Sequence, residues 1–415
     1  MGAWQSMKMA LLLGLILGAC SAGAAPREVD GHHWVDVDRI IAIGDLHGDY
    51  DNYIRTLRAA GLIDQRGRWS AGATHLVQTG DIPDRGPDTK KIIAHLTKLA
   101  RQARRKGGRV HHLIGNHEAM NVYGDLRYVT EGEYLAYASA RSPRIRDRYF
   151  ASLLKDFETR DPERFAELPA DFRDRWYTSH PLGWIEHRQA WNPNWNPDAE
   201  MFEWVNDSQV AIQIDGIIFV HGGISGFYCR DTLESMTDRV HLALQRSDVN
   251  DLGILTDEFG PLWYRGLAGE APAAPAATVE AILDEHGAAQ IVVGHTPTGG
   301  IIWPRYGGQV IQIDAGISAA YGGHVAYLEV TREGMFAGYP PGKVALPPAG
   351  ADLAGYLEKV LELLPDSTAA REKLEELHTA AESTAAVDQQ SDSPTDEGAS
   401  KTTEALEIPI CGTRL

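Results

Sequence analysis

The stretch RIIAIGDLHGDYDN, residues 39–52, decides the fold. Ile40, Ile41 and Ile43 form an apolar run of the kind that a strand buried on both faces requires. The run stops at Gly44, and Asp45 and His47 follow two apart with Gly48 behind them. A loop that has no bulk but carries a carboxylate and an imidazole has room for something other than packing. Beyond it, Asp49 or Asp51 can cap a helix whose apolar stripe is Tyr53, Ile54 and Leu57.

The pattern recurs along the chain. THLVQTGD (74–81) ends at Asp81, and its helix carries Pro87 in the first turn, a stripe of Ile92, Ile93, Leu96 and Leu99, and Gly107 as a stop. VHHLIGNHE (110–118) ends at Asn116-His117. Strands about 36 residues apart with helices between them predict a βαβ series and a parallel sheet. In such sheets ligands collect at the carboxyl ends of the strands, where these charged motifs fall. Residues 124–205 break the rhythm: EGEYLAYASA (131–140) and IRDRYFASLLKDF (145–157) read as helices, and the two Asn-Pro pairs of WNPNWNPD (191–198) demand a loop. A mostly helical insertion over the sheet edge is expected there. Strands return in QVAIQIDGIIFVHGG (209–223), with Asp215-Gly216 as a hairpin turn, and in segments near 290, 310 and 327.

Five strand-end motifs carry the chemistry: Gly44-Asp45-Leu46-His47-Gly48, Gly80-Asp81-Ile82-Pro83-Asp84-Arg85-Gly86, Gly115-Asn116-His117-Glu118, Val220-His221-Gly222-Gly223 and Gly294-His295-Thr296. Singly each is ordinary, since an Asp after a Gly caps helices and a lone His is usually a structural hydrogen-bonding group. Together they offer imidazole, carboxylate and amide oxygen but no thiolate, a donor mixture that suits Mn, Fe, Zn or Co better than Ca.

These five motifs, in this order, resemble the metallophosphoesterase (calcineurin-like) superfamily, its phosphoprotein-phosphatase-like group, and within it the bacterial Shewanella-like phosphatases. The resemblance covers residues 38–335 outside the insertion. It implies an α/β fold, a four-layer αββα sandwich, and two divalent metal ions. It places Asp45 and His47 on the first ion, Asp81 between the two, and Asn116, His221 and His295 on the second. It implies a metal-bridging hydroxide as nucleophile, His117 as general acid supported by Asp84, and Arg85 and Arg265 as phosphate ligands. Tyr321 is a looser candidate for lining the pocket. The function implied is a phosphomonoester hydrolase acting on phosphorylated protein, peptide or a small phosphate ester, phosphotyrosine included. A dinucleoside-polyphosphate hydrolase of the ApaH-like type is the competing enzyme, disfavoured because Asp84 is retained; a non-catalytic scaffold of the same fold would have shed ligands that are all present here.

The ends of the chain bear on location. MKMALLLGLILGAC (7–20) has a lysine, a short apolar run and small residues, the shape of a secretory signal. Leu17-Gly18-Ala19-Cys20 resembles a lipobox, which implies cleavage before Cys20 and lipid on its sulfur; a plain signal cut near residues 21–25 is the alternative. The expectation is an exported, periplasmic protein, lipid-anchored to the bacterial outer membrane and touching membrane only through that anchor. A linker is expected over 20–37, C-terminal helices within 336–382 and a mostly disordered acidic tail over 383–415. Net charge of −18 argues against nucleic acid as a partner. Cys229 and Cys411 either pair, clipping the C-terminus beside the VHGGIS segment, or remain thiols. His187-Arg188 and the tryptophans of 191–197 either rim a cleft or pack the insertion.

Overall fold

Side chains alternate along the strand Arg39–Ile43, and the alternation builds the layers. Ile40 and Ala42 join one apolar cluster, whereas Ile41 and Ile43 join another with Tyr53, Ile54 and Leu57 of the following helix. A strand that feeds two cores must lie between a helix layer and a second sheet. The computed structural model describes residues 26–246, 251–348, 352–388 and 409–412, and Cys20 with its apolar leader lies outside them.

In chain order the first part comprises β1 (Arg27–Asp30), β2 (His33–Val35), β3 (Arg39–Ile43), α1 (Tyr50–Ala59), β4 (His75–Gln78), α2 (Thr89–Arg104), β5 (Arg109–His112) and α3 (Asn116–Tyr123). Helices α4 (Glu131–Leu135), α5 (Ser142–Arg160), α6 (Pro162–Ala166), α7 (Phe172–Ser179), α8 (Trp184–Trp191) and α9 (Glu200–Asn206) fill the stretch that interrupts the strands. Then come β6 (Ala211–Ile214), β7 (Ile217–Val220), α10 (Leu233–Arg246), α11 (Ala276–His286), β8 (Gln290–Val293), β9 (Trp303–Arg305) and β10 (Val310–Gln312). The chain continues through β11 (Tyr327–Thr331), β12 (Gly334–Tyr339), β13 (Gly342–Ala345), α12 (Leu353–Leu363) and α13 (Thr368–Asp388).

One sheet has six strands in the order β13-β12-β11-β3-β4-β5, and the other has seven in the order β1-β2-β6-β7-β8-β10-β9. The motif strands β3, β4 and β5 are parallel neighbours, as are β7, β8 and β10. Ile212, Ile214, Phe219, Val292 and Ile311 of the second sheet share a cluster with Ile40, Ala42, Val77 and Leu328 of the first. Helices α1, α2, α10 and α11 cover the outer faces through the other cluster. The fold is therefore mixed α/β, two facing sheets with helices outside. Each fully buried aliphatic side chain in these layers contributes roughly 1.5–3 kcal/mol.

Details depart from the sequence reading. Asp49, not Asp51, caps α1, accepting the Asn52 amide at 3.0 Å. Helix α2 starts at Thr89, so Pro87 precedes it rather than sitting in its first turn. Residues assigned to a linker form β1 and β2, which extend the second sheet, because Trp34 is buried between the sheets against His111 of β5. The segment assigned to helices alone begins with the hairpin β12–β13, whose Pro340-Pro341 turn disguised two strands, β13 at the sheet edge and β12 beside it. Of the tail expected to be disordered over 383–415, residues 383–388 continue α13 instead, 389–408 and 413–415 lie outside the described residues, and 409–412 is ordered against the core. There Cys411 forms a disulfide with Cys229 across 182 residues of sequence, and the Gly412 amide donates to the Gly226 carbonyl at 2.8 Å.

Candidate active site

The carboxyl ends of β3, β4, β5, β7 and β8 deliver Asp45, Asp81, Asn116, His221 and His295 to one buried point. Backbone geometry shows how much is asked of these turns. His47, Asp81, Asp84, Arg85 and His295 all have positive φ, between 44° and 73°, in a region that non-glycine residues avoid. Each such residue costs about 1–3 kcal/mol, and such costs gather at functional sites. Glycine is needed where backbones touch: a Cβ on Gly294 would stand 2.8 Å from Asp45 Oδ1 and 2.7 Å from Thr79 Oγ1.

Asp81 is the hub. Its Oδ1 lies 3.3 Å from His221 Nε2, and its Oδ2 lies 3.9 Å from His47 Nε2 and 3.8 Å from His117 Nε2. Asp45 Oδ2 is 3.9 Å from His47 Nε2, and Asp45 Oδ1 accepts the His295 amide at 3.2 Å. Asn116 Oδ1 and His295 Nδ1 stand 3.0 and 3.1 Å from His221 Nε2. Two groups of donor atoms result, His47–Asp81–His117 and Asp81–His221–His295, each within 4.8 Å and both containing Asp81.

Two of the imidazoles are oriented from behind. His47 Nδ1 faces the Pro83 carbonyl at 3.2 Å, and His221 Nδ1 faces the Thr79 carbonyl at 2.9 Å. A carbonyl can only accept, so each ring carries its proton on Nδ1 and presents the Nε2 lone pair to the centre, the tautomer that ligates metals. Burial pushes His47 down to about 3 and His295 well below its ordinary value, so both are neutral. His117 differs: burial alone would lower it, but Asp81, Asp84 and Glu118 together raise it. Its Nδ1 meets Asp84 Oδ2 at 2.5 Å, while Asp84 Oδ1 accepts from Asn121 at 3.0 Å. The raised value and the Asp84 partner on Nδ1 set His117 apart from His47 and His295, whose values are lowered.

The donor set fits divalent cations. Asp45, Asp81 and Asp314 are all buried, and among the described residues no Lys or Arg ion pair offsets them. Burial, Asp314 and Asp81 push Asp45 well above the carboxylate range, and burial drives Asp314 up to about 6. Neutral imidazoles and crowded carboxylates without a counter-cation are what a metal site looks like when described by protein atoms alone. Among the described residues the buried His295 Nε2 also has no hydrogen-bond partner.

Arg85 lies at the rim with its guanidinium stacked 4.4 Å from the Tyr128 ring and 5.1 Å from the Tyr321 ring. Tyr321 also packs 5.2 Å from His47, so it lines the centre. Arg265 is nearby, but its Nη1 donates to the His295 carbonyl at 2.7 Å and to Thr296 Oγ1 at 3.1 Å. That makes it a brace for the His295 turn. Beside it opens a cavity of about 580 Å³ lined in part by Tyr123, Arg127, Tyr128, Phe259, Trp263 and Arg265.

His187 does not rim this cleft: it is fully buried between Tyr134 and Tyr137. Trp191 donates to the Tyr137 hydroxyl at 2.9 Å, and Trp195 packs on Tyr149 and Trp184, so both tryptophans build the insertion. Residues that the sequence reading passed over include Asp314, Glu118, Asn121, Tyr128 and Glu133. Asp314 follows the end of β10 in Ile313-Asp314-Ala315-Gly316, a strand end, a carboxylate and a glycine close together as at Asp45, though without a glycine directly before it. Glu118 accepts the amides of Gly115, Asp81 and Ile82 at 2.8, 2.9 and 2.8 Å.

The calcineurin-like phosphoesterase family model matches residues 38–299. The chain belongs to that family. The phosphoesterase is 31% identical over 299 residues to an uncharacterised protein of Schizosaccharomyces pombe, covering 71% of this chain and 77% of that one. It is 33% identical over 239 residues to Shewanella-like protein phosphatase 2 of Arabidopsis thaliana, covering 55% of this chain and 56% of the relative. Against Shewanella-like protein phosphatase 1 of Plasmodium berghei the identity is 26%, covering 62% of this chain and 61% of the other. The chain thus spans between half and two thirds of the length of those two phosphatases. Among solved structures, a cold-active protein-tyrosine phosphatase of a psychrophilic Shewanella species superposes with a TM-score of 0.57 at 26% identity, covering 77% of this chain and 83% of that one.

Proposed function

We propose that this phosphoesterase is a dinuclear-metal-dependent phosphomonoesterase acting on phosphorylated protein or peptide, phosphotyrosine included. The observation that carries the proposal is one buried carboxylate, Asp81, common to two donor groups, with the hydrogen-bonded His117–Asp84 pair and Arg85 at its edge. Asp45 and His47 would hold one ion, Asn116, His221 and His295 the other, and Asp81 both. When bound, such ions act as Lewis acids toward phosphate oxygens and lower the pKa of water toward neutrality.

The chain's own groups supply the rest. Arg85 can grip two phosphate oxygens through its planar fork, and the Tyr128 and Tyr321 rings hold that fork flat. His117 donates from Nε2 to the departing alkoxide or phenolate, because its Nδ1 is occupied by Asp84. Asp84 stabilises the imidazolium and keeps its direction. The aromatic cavity beside Arg265 suits the phenol of a phosphotyrosyl peptide, in keeping with the tyrosine phosphatase of similar fold.

Purified protein loaded with Mn²⁺ should turn over p-nitrophenyl phosphate and a phosphotyrosyl peptide. Turnover of diadenosine tetraphosphate alone would favour the nucleotide reading, and no turnover of any of the three would favour a scaffold.

We also propose export to the periplasm with a lipid on Cys20 at the outer membrane. The Cys229–Cys411 disulfide supports this, since disulfides persist in oxidising compartments. Mass spectrometry of the N-terminal peptide tests it: a diacylglycerol-modified Cys20 is expected, and an unprocessed Met1 would contradict it.

A further inference from the structure

Two buried glutamates stand behind the loop that carries Asp81, Asp84 and Arg85. Each occupies the third position of a short helix, Glu118 in α3 and Glu133 in α4. A glutamate there ordinarily bends back to the amide that precedes its own helix. Glu118 does so at Gly115 while also taking the Asp81 and Ile82 amides. Glu133 sends its Oε2 across 49 residues of sequence to the Asp84 amide, 3.1 Å away.

The loop needs such a hold. Asp84 and Arg85 have φ of 73° and 64°, two successive left-handed residues with side chains. At about 1–3 kcal/mol each, that conformation persists only where neighbours impose it. The Arg85 amide is fixed by the Tyr128 carbonyl at 3.0 Å, so both restraints come from chain that follows α3. Glu133 is fully buried, and burial together with Asp84 pushes it well above the carboxylate range.

We propose that Glu133 is a positioning residue: from the helical insertion it clamps the Asp84 amide and so aims Asp84 at His117 and Arg85 at the phosphate. The inference rests on the proposed roles of His117 and Arg85. The insertion is then part of the catalytic apparatus as well as a cover for the sheet edge.

The test compares Glu133→Ala and Glu133→Gln in the full Mn²⁺-loaded chain on phenyl phosphate and p-nitrophenyl phosphate. Phenolate needs a proton to leave, whereas nitrophenolate leaves readily without one. Glu133→Ala should lower kcat/KM for phenyl phosphate by roughly 10- to 100-fold, the usual effect of losing a supporting hydrogen bond behind a site. The loss on p-nitrophenyl phosphate should be several-fold smaller, inhibition by inorganic phosphate should weaken, and metal content should stay the same. Glu133→Gln keeps a carbonyl acceptor and should remain within about threefold of the wild type on both substrates, because a neutral hydrogen bond of similar geometry changes the free energy little. If Glu133→Ala does not fold, Glu133→Asp, which retracts the acceptor by one methylene, takes its place with the same expectation. Equal losses on both substrates, no loss, or a Glu133→Gln variant as impaired as Glu133→Ala would overturn the clamp. A wild type inactive on both substrates would instead remove the proposed function on which the clamp depends.

Discussion

The strand tips and the helical insertion use opposite means. Of the eight non-glycine residues with positive φ among the described residues, five lie in the strand-tip turns, at His47, Asp81, Asp84, Arg85 and His295. None lies within the insertion, residues 124–206. Among the described residues, the tips bury Asp45, Asp81 and Asp314 with no lysine or arginine ion pair on any of them. The insertion instead packs aromatic rings: Trp176 stacks on His180 at 4.2 Å and against Phe150 at 4.9 Å, and Arg188 lies over Trp195 at 4.5 Å. Strain and unbalanced charge are tolerated where they do chemistry, whereas ordinary packing suffices where the task is to hold shape. Substitutions at the tips should therefore act on turnover, and those in the insertion on stability, with Glu133 the point where the regions meet.

The largest effect is expected at the hub. Asp81→Asn removes the carboxylate common to both donor groups, and activity should fall to background with metal lost on dialysis; full metal content by elemental analysis would break the comparison at its root. His117→Ala should keep its metals and lose roughly 10²- to 10⁴-fold in kcat, the usual contribution of a general acid. Unchanged turnover in a pre-steady-state assay would take His117 out of the reaction. Arg85→Ala forgoes charge-assisted hydrogen bonds of about 1.5–3 kcal/mol, so kcat/KM should drop roughly 10- to 150-fold, with weaker phosphate inhibition as the accompanying sign. Arg265→Ala loses the brace on the His295 turn, and if bracing is its whole part kcat/KM should fall by no more than about tenfold, the equivalent of about 1.4 kcal/mol. A loss as large as that of Arg85→Ala would show that Arg265 also touches phosphate. At the small end for turnover, Trp176→Ala should leave kcat at low temperature unchanged while costing about 3–5 kcal/mol of stability by urea denaturation. A kcat that falls in proportion to stability would erase the distinction between the two regions.

The legibility of the molecule follows the same division. The tips were readable because each motif is contiguous: a strand, a glycine and a donor lie within a few residues, and β-strand periodicity says where they end. Asp314 obeys that grammar in IQIDAG and is recoverable on the same terms. Glu133 is not, because its partner at Asp84 is 49 residues away and its own surroundings look like an ordinary helix start. The Cys229–Cys411 pairing was open for the same reason, being set by a chain path of 182 residues. The alternatives for His187 and for the tryptophans of 191–197 turn on which way the insertion folds, and ring packing within the insertion decides them, with His187 and Trp191 buried and Trp195 half-buried on Tyr149. Arg265 shows a subtler limit: its position beside the centre was legible, but its hydrogen bond to the His295 carbonyl depends on a turn that only tertiary structure creates.

The central claim is that Asp81 stands between two cations. Anomalous diffraction from crystals of the Mn²⁺-loaded protein tests it most directly. The expected result is two peaks, one on each side of Asp81, the first against His47 and Asp45 and the second against Asn116, His221 and His295. A single peak, or manganese bound away from Asp81, would contradict it.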